Sequence, residues 1–260
     1  MELSCLDMIS GFEIDTADAR SVKDFYGPLL GWTFATEPGS GADGPTGIRI
    51  TAPGASAPMG LIRQHAAGGK EATSLRVFCG DVAADAARLE KLGATVVAPA
   101  APDSGQAVRA RVTDPRGNVL TLVSRTGAPE AEQGGGRPQP GAFASFEIGT
   151  TDAAATRAFY AQAFGWRFEQ DQGSVSTPYY SIFTGPVPTG GMHDYSAVTD
   201  GAEFAMPTFL ATDVPTDVSR ALSLGGTVEY GPEATAYGLV FARLTDPHGN
   251  RFGLFTMPQD

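Results

Sequence analysis

Short stretches of alternating apolar and polar residues predict strands, and a helical period follows the first of them. Phe12, Ile14 and Thr16 alternate with two acidic residues, which is typical of a half-buried strand. Asp18 then suits the N-cap of a helix, apolar residues recur after it at helical spacing, and Gly31 suits the position beyond the helix end. The segment therefore predicts a strand followed by a helix.

The same order of one strand, one helix and three further strands recurs along the chain. The pattern predicts helices at 82–92 and 214–224, and strands at 32–34, 47–51, 59–62, 75–79, 95–98, 108–113, 119–123 and 208–211. Each half of the chain therefore holds two βαβββ modules, and the whole chain holds four.

An internal duplication underlies this order. Residues 12–34 and 146–168 align without gaps and share 11 of 23 positions. Residues 113–122 and 245–254 share six of ten, including the motif DPxGN, whose proline and glycine favour a tight hairpin. Repeats over a whole domain length indicate tandem duplication. We interpret His248, within the second DPxGN motif, as a solvated hairpin residue.

The two copies are separated by a segment that cannot pack a core. Residues 126–141 are rich in glycine, proline and polar residues, and we interpret them as a linker. The predicted domains are 1–125 and 142–260. At 260 residues the chain is long enough for two domains, each with its own core.

Charge and composition exclude several classes of function. The formal net charge of −11 disfavours a nucleic-acid partner, because an acidic surface repels phosphates. No apolar run approaches the roughly 20 residues of a membrane helix, and the first residues do not resemble a signal peptide. The two cysteines form no CxxC pair. We expect a cytoplasmic protein with no membrane partner.

The repeated motifs resemble those of a known superfamily. A strand leading into T-x-D, a helix carrying FY, a GW after the helix and a closing DPxGN hairpin are similar to the vicinal oxygen chelate superfamily of glyoxalases, bleomycin-resistance proteins and ring-cleaving dioxygenases. The closest resemblance is to tandem two-domain bacterial members, some of which accompany antibiotic pathways and are described as hydroxylase-like. The resemblance implies an α+β fold of four βαβββ modules in two tandem domains with cupped mixed sheets.

The resemblance also implies where metal ligands would stand. Metal-binding members place a His or Gln seven residues before the aspartate that caps each helix, and a Glu seven residues after the aspartate of DPxGN. The corresponding residues here are poor ligands for a divalent ion, namely Gly11, Ser74, Ser145, Met206, Thr121 and Gly253. We therefore predict neither a metal nor another cofactor.

Two glutamates occupy equivalent points of the repeats, and one histidine stands near a strand edge. Glu13 and Glu147 lie two residues after the missing ligand point, on the same face of the strand. Each is interpreted as a general acid/base or a hydrogen-bond acceptor, or alternatively as a carboxylate satisfied by a neighbouring strand. His193 is interpreted as a general base or lone ligand, or as a surface histidine.

Residues near His193, and arginines of the first domain, are candidates for ligand binding. Tyr179 and Tyr180 precede His193, and Asp194 and Tyr195 follow it, so that aromatic rings here would stack on a flat ligand or pack in the core. Arg63, like the neighbouring strand arginines at 49 and 76, would bind a carboxylate or phenolate, or lie at the surface.

These observations predict a metal-independent protein that binds an aromatic or polyketide-like metabolite in a cupped cavity, with the second domain favoured as the active one. It would be a binding protein or a tailoring enzyme using acid/base groups. A lyase, isomerase or dioxygenase with atypical metal ligands (His193, Glu147 and Asp194), an antibiotic-sequestering resistance protein and a purely structural module stay open as alternatives. Formation of a homodimer and the pairing of the modules stay open as well.

Overall fold

The computed structural model describes residues 9–37, 47–103, 107–124, 138–172, 177–235 and 238–257. In the first repeat the elements are β1 Ile9–Thr16, α1 Ala19–Leu30, β2 Thr33–Thr36, β3 Gly47–Thr51, β4 Gly60–Gln64, β5 Ala72–Cys79, α2 Val82–Lys91, β6 Thr95–Pro102, β7 Val108–Thr113 and β8 Val119–Ser124. In the second they are β9 Phe143–Thr150, α3 Ala153–Phe164, β10 Arg167–Asp171, β11 Tyr179–Phe183, β12 Gly190–Asp194, β13 Phe204–Leu210, α4 Val214–Ser223, β14 Thr227–Ala234, β15 Val240–Thr245 and β16 Arg251–Phe255.

Each repeat forms one mixed, cupped sheet of eight strands, which confirms the predicted α+β fold. The strand orders are β2-β3-β4-β1-β5-β8-β7-β6 and β10-β11-β12-β9-β13-β16-β15-β14. The first strand of each module is joined in parallel to its last strand, as in the pairs β1 with β4 and β9 with β12. The predicted bounds of β3 and β7 agree with the structure, and the other predicted strands overlap the observed ones.

The compact units of the chain combine segments from both repeats. One unit comprises Met1–Gly11, Ser74–Glu130 and Ser145–Ala205, and the other comprises Phe12–Thr73, Ala131–Ala144 and Met206–Asp260. The domain bounds read from the sequence therefore stay a prediction, and residues 126–137 of the predicted linker lie outside the described part of the chain. No helix of the described residues is long and apolar enough to cross a membrane.

The repeated FY and GW motifs pack against each other within each unit. Tyr26 and Trp32 stack with their ring centroids 4.7 Å apart at 12°, and Tyr160 and Trp166 stack at 4.7 Å and 5°. All four rings are buried. The stacks occupy equivalent places because Gly31 and the glycine at 165 end their helices in the same left-handed conformation, with φ near 69°.

The two DPxGN motifs form the tight hairpins that the sequence predicts. The Asp114 side chain accepts hydrogen bonds from the backbone N–H groups of Arg116 and Asn118, and the second hairpin repeats this pattern. His248, which we interpreted as a solvated hairpin residue, is partly exposed. Its Nε2 lies 2.8 Å from the Ser21 Oγ, because this hairpin lies against the first turn of α1.

Candidate functional site

A glutamate and a histidine of the second repeat form a close pair. Strands β9 and β12 run in parallel, with Glu147 opposite Gly191 and His193 opposite Gly149. Because alternate residues of a strand point to the same side, the Glu147 and His193 side chains share one face of the sheet. His193 Nε2 lies 3.0 Å from Glu147 Oε2, and the two side chains are 19% and 10% exposed. We call this side of β9–β12 the Glu147 face.

Tyr179 completes the hydrogen bonding of this carboxylate. It lies opposite His193 on β11, and its hydroxyl donates to Glu147 Oε1 over 3.4 Å. Burial, followed by the charge of Glu147, raises the pKa of Tyr179 well above its ordinary value. Gly191 permits this contact, since a β-carbon there would overlap the Tyr179 hydroxyl. The sequence analysis missed Gly191, although the paired glycines at 190–191 mark a place where another group comes close to the backbone.

Two tyrosine rings flank the imidazole. The Tyr195 ring is nearly parallel to the His193 ring, with 5.7 Å between centroids and 6° between planes. The Tyr179 ring meets it edge-on at 5.0 Å and 67°. These contacts, together with Glu147, restrict the orientation of the imidazole from three sides.

The carboxylate determines which imidazole nitrogen is available to a ligand. An ionised Glu147 only accepts hydrogen bonds, so the nitrogen facing it, Nε2 of His193, carries the hydrogen. In a neutral imidazole the other nitrogen, Nδ1, then holds a lone pair. Within the described residues no group hydrogen-bonds His193 Nδ1. This nitrogen can therefore accept a proton or a hydrogen bond from a bound molecule.

Two residues predicted from the sequence lie apart from this cluster. Tyr180 belongs to the opposite side of β11, where the Arg157 guanidinium lies 4.6 Å from its ring centroid. Asp194 accepts a hydrogen bond from the Ser196 backbone N–H in the turn after β12. The structure thus brings together Glu147, His193, Tyr179 and Tyr195, but neither Tyr180 nor Asp194.

The equivalent place in the first repeat carries different chemistry. Glu13 is fully buried. Arg63 on β4 occupies the position that His193 occupies on β12, because each pairs with the residue two positions after the glutamate of its own repeat. Gly47 takes the place of Tyr179, and the Glu37 carboxylate lies over it. Glu37 forms ion pairs with Arg63 at 3.7 Å and with Arg49 at 3.8 Å. The sequence analysis gave no signal for Glu37, which follows a strand and belongs to no motif.

The residues of the chain do not fit the metal centre that the resemblance implies. Ser74 and Thr121, two of the positions where the superfamily places ligands, are buried and hydrogen-bond each other over 2.9 Å. Ser145, a third such position, donates to a backbone carbonyl instead. Among the described residues no three side chains of His, Cys, Asp or Glu converge as a metal site requires.

Curated proteins and solved structures resemble this chain over most of its length. It is 28% identical over 258 residues to the anthracycline biosynthesis protein DnrV of Streptomyces peucetius, an alignment that covers 94% of this chain and 90% of the relative. The 2,3-dioxygenase LapB from Pseudomonas sp. KL28 superposes with a TM-score of 0.64 at 14% identity, covering 98% of this chain and 94% of that one. The Mn(II)-bound glyoxalase from Novosphingobium aromaticivorans gives 0.62 at 15% identity, with coverages of 98% and 83%.

At such low identity the two solved structures establish the fold alone. The family model described as the glyoxalase-like domain matches residues 11–123 and again residues 145–255. These two matches account for most of the chain and coincide with the internal repeats. The protein therefore belongs to the glyoxalase-like domain family, within the vicinal oxygen chelate superfamily, and carries two tandem copies of that domain.

Proposed function

We propose that the second repeat binds a small aromatic or polyketide-like metabolite at the Glu147 face, and that the protein is a metal-independent binding protein or tailoring enzyme. The observation that carries this proposal is the 3.0 Å contact between His193 Nε2 and Glu147 Oε2, which leaves Nδ1 available to a ligand. The flanking rings of Tyr179 and Tyr195 suit an aromatic ligand. The similarity to an anthracycline biosynthesis protein supports the same class, because anthracyclines are polycyclic aromatic compounds.

His193 is the base of this proposal, and Glu147 orients it. The imidazole accepts a proton from a hydroxyl or an acidic C–H group of the ligand at Nδ1, and the adjacent carboxylate stabilises the imidazolium that results. A base placed in this way accelerates a reaction by about 10²–10⁴-fold. If the bound molecule offers no acidic proton at this position, the same contacts hold it without reaction.

Binding is tested with an anthracycline, a hydroxyanthraquinone and a flavonoid as probes. A molecule that binds only the folded state raises the melting temperature, and titration calorimetry then gives its affinity. We expect His193→Gln to weaken binding by about tenfold, the loss of one hydrogen bond to a charge-paired group. His65→Gln is the matched control, since His65 hydrogen-bonds a neighbouring backbone carbonyl in the first repeat. Absence of any shift across the panel would contradict the proposal.

Two further measurements separate the alternatives. Mass spectrometry of a bound probe after incubation distinguishes a tailoring enzyme, which changes its mass or isomer, from a sequestering protein, which returns it unchanged. Elemental analysis of protein purified without chelators tests metal independence. Stoichiometric Fe, Mn, Ni or Zn that is lost in His193→Gln would favour a metal-dependent enzyme instead.

A further inference from the structure

The carboxylate of Glu147 accepts a hydrogen bond at each of its oxygens. Tyr179 donates to Oε1 over 3.4 Å, and His193 Nε2 lies 3.0 Å from Oε2. Burial raises the pKa of Tyr179 well above its ordinary value, so its hydroxyl keeps the hydrogen that it donates. Because an ionised carboxylate has no hydrogen to give, both hydrogen bonds run in one direction, from the ring groups to Glu147.

This direction decides what the imidazole offers to a ligand. One nitrogen of a neutral imidazole carries the hydrogen, and the other carries the lone pair. In His193 the hydrogen is at Nε2, against Glu147, and the lone pair is at Nδ1. The His193 side chain is 19% exposed, so part of its surface remains within reach of a bound molecule. The site therefore presents a hydrogen-bond acceptor.

From this arrangement we propose that Glu147, acting through His193, selects an aromatic ligand with a free hydroxyl and rejects the same molecule once that oxygen carries an alkyl group. The inference rests on the proposed function, because it assumes that an aromatic molecule binds at the Glu147 face. A free hydroxyl donates its hydrogen to Nδ1. An alkylated oxygen has only lone pairs, so the hydrogen bond to Nδ1 is not made and affinity is lost.

This selectivity gives the protein a place in a reaction sequence. O-alkyl transfer replaces the hydroxyl hydrogen of a phenol or enol with carbon, and the product no longer donates a hydrogen bond. The metabolite that binds at the Glu147 face is therefore the form that precedes O-alkyl transfer at that oxygen. The choice depends on the presence of a hydrogen and not on the net charge of the site.

Two uncharged probes test this choice. 2-Naphthol and 2-methoxynaphthalene share one ring system and differ by a methyl group on the oxygen, so the charged residues around the site act on both alike. Titrations at about pH 8 favour a neutral imidazole, since histidine changes its charge between about pH 5 and 8. We expect calorimetry to show that naphthol binds at least about tenfold more tightly, because the ether leaves Nδ1 without a donor.

Glu147→Gln separates this explanation from a steric effect of the methyl group. The Tyr179 hydroxyl donates to the amide oxygen, so the amide NH₂ faces His193 Nε2 and donates to it. The imidazole hydrogen then lies at Nδ1, which becomes a donor to either oxygen. We expect the preference for naphthol to fall below about threefold. A steric effect of the methyl group would persist in this variant.

Two further variants complete the test. Glu169→Gln makes the same chemical change on β10, where the side chain is 61% exposed and pairs with Arg167, and the preference should remain. His193→Phe keeps a ring but has no nitrogen, and the preference should disappear. Equal affinity of the wild type for both probes, or an unchanged preference in Glu147→Gln, would overturn this inference and leave the proposed function intact. If neither probe binds, the proposed function is contradicted as well.

Discussion

Tyr160 of the second repeat donates its hydroxyl hydrogen to Asp114 of the first repeat, with 2.8 Å between Oη and Oδ2. The reciprocal pair, Tyr26 with Asp246, spans 3.3 Å. The FY and DPxGN motifs are thus partners across the duplication. Each aspartate accepts hydrogen bonds within its own hairpin, which fix the orientation of its carboxylate. The tyrosine thus connects the α-helix of one repeat to the hairpin of the other.

Removing the hydroxyl of Tyr160 should therefore destabilise the protein. We expect Tyr160→Phe to lower the free energy of unfolding by about 1.5–3 kcal/mol, the value of a buried hydrogen bond to a charged group. Urea unfolding followed by circular dichroism measures the change. Tyr26→Phe is the matched comparison, and the loss should be smaller because its hydrogen bond is longer. If Tyr160→Phe and the wild type have the same free energy of unfolding, this hydrogen bond does not contribute to stability.

The two neighbouring tyrosines of β11 should differ in their effect on the site. Tyr179→Phe removes a hydrogen bond to Glu147, and we expect a loss of about 0.5–1.5 kcal/mol in stability together with weaker binding of the hydroxyanthraquinone probe. Tyr180→Phe changes a ring on the other side of the strand, against Arg157, and the affinity for the hydroxyanthraquinone should not change. Calorimetry on both variants decides the matter. A loss of affinity confined to Tyr180→Phe would place the binding site on the opposite face.

A methyl group at Gly191 should displace Tyr179 from the carboxylate. We expect Gly191→Ala to destabilise the protein by about 1–3 kcal/mol, as overpacking does. The loss of stability caused by Gly191→Ala should be smaller in a variant that also carries Tyr179→Ala, because the overlapping ring is then absent. Gly185→Ala serves as the control, since a β-carbon there meets no atom within 4 Å. Additive losses in the double variant would contradict the close packing of Tyr179 over Gly191.

Stability should fall at alkaline pH. Burial, followed by a neighbouring carboxylate, raises the pKa values of Tyr26, Tyr160 and Tyr179. Below about pH 10, where tyrosine is protonated in the unfolded chain as well, their contribution is fully present. Above it the unfolded chain releases protons that the folded chain retains, so stability decreases by up to about 1.4 kcal/mol per pH unit for each tyrosine.

Absorbance at 295 nm and urea midpoints between pH 9 and 11 test this expectation. Three of the seven tyrosines should ionise only when the protein unfolds. The midpoints should decline over the same interval, and less steeply in Tyr160→Phe. Ionisation of all seven tyrosines in the folded protein would contradict the burial of these hydroxyls.

The sequence predicted the elements of the fold because its patterns are local and occur twice. Strand alternation, aspartate N-caps and the DPxGN hairpins depend on residues a few positions apart, and the structure confirms them. Glu147 and His193 were both identified as candidates. Their pairing depends on the register between β9 and β12, and the two residues lie 46 positions apart in the chain. Periodicity within one strand does not determine that register.

The choice between Tyr179 and Tyr180 was beyond the sequence for a related reason. Adjacent residues of a strand point to opposite sides, and a shift of one position exchanges them. Only the pairing of Tyr179 with His193 decides which ring meets the imidazole. The contact between His248 and Ser21 was missed because it joins a hairpin and a helix 227 positions apart in the chain.

Each compact unit contains segments that precede residues 131–144 and segments that follow them. The repeats of the sequence are therefore not the same as the compact units of the structure. A half-chain ending near residue 125 would hold part of each unit and the whole of neither. Expressed alone, such fragments should expose apolar surface and be poorly soluble. Expressed together, they should reassemble, as the two parts of a split reporter protein do.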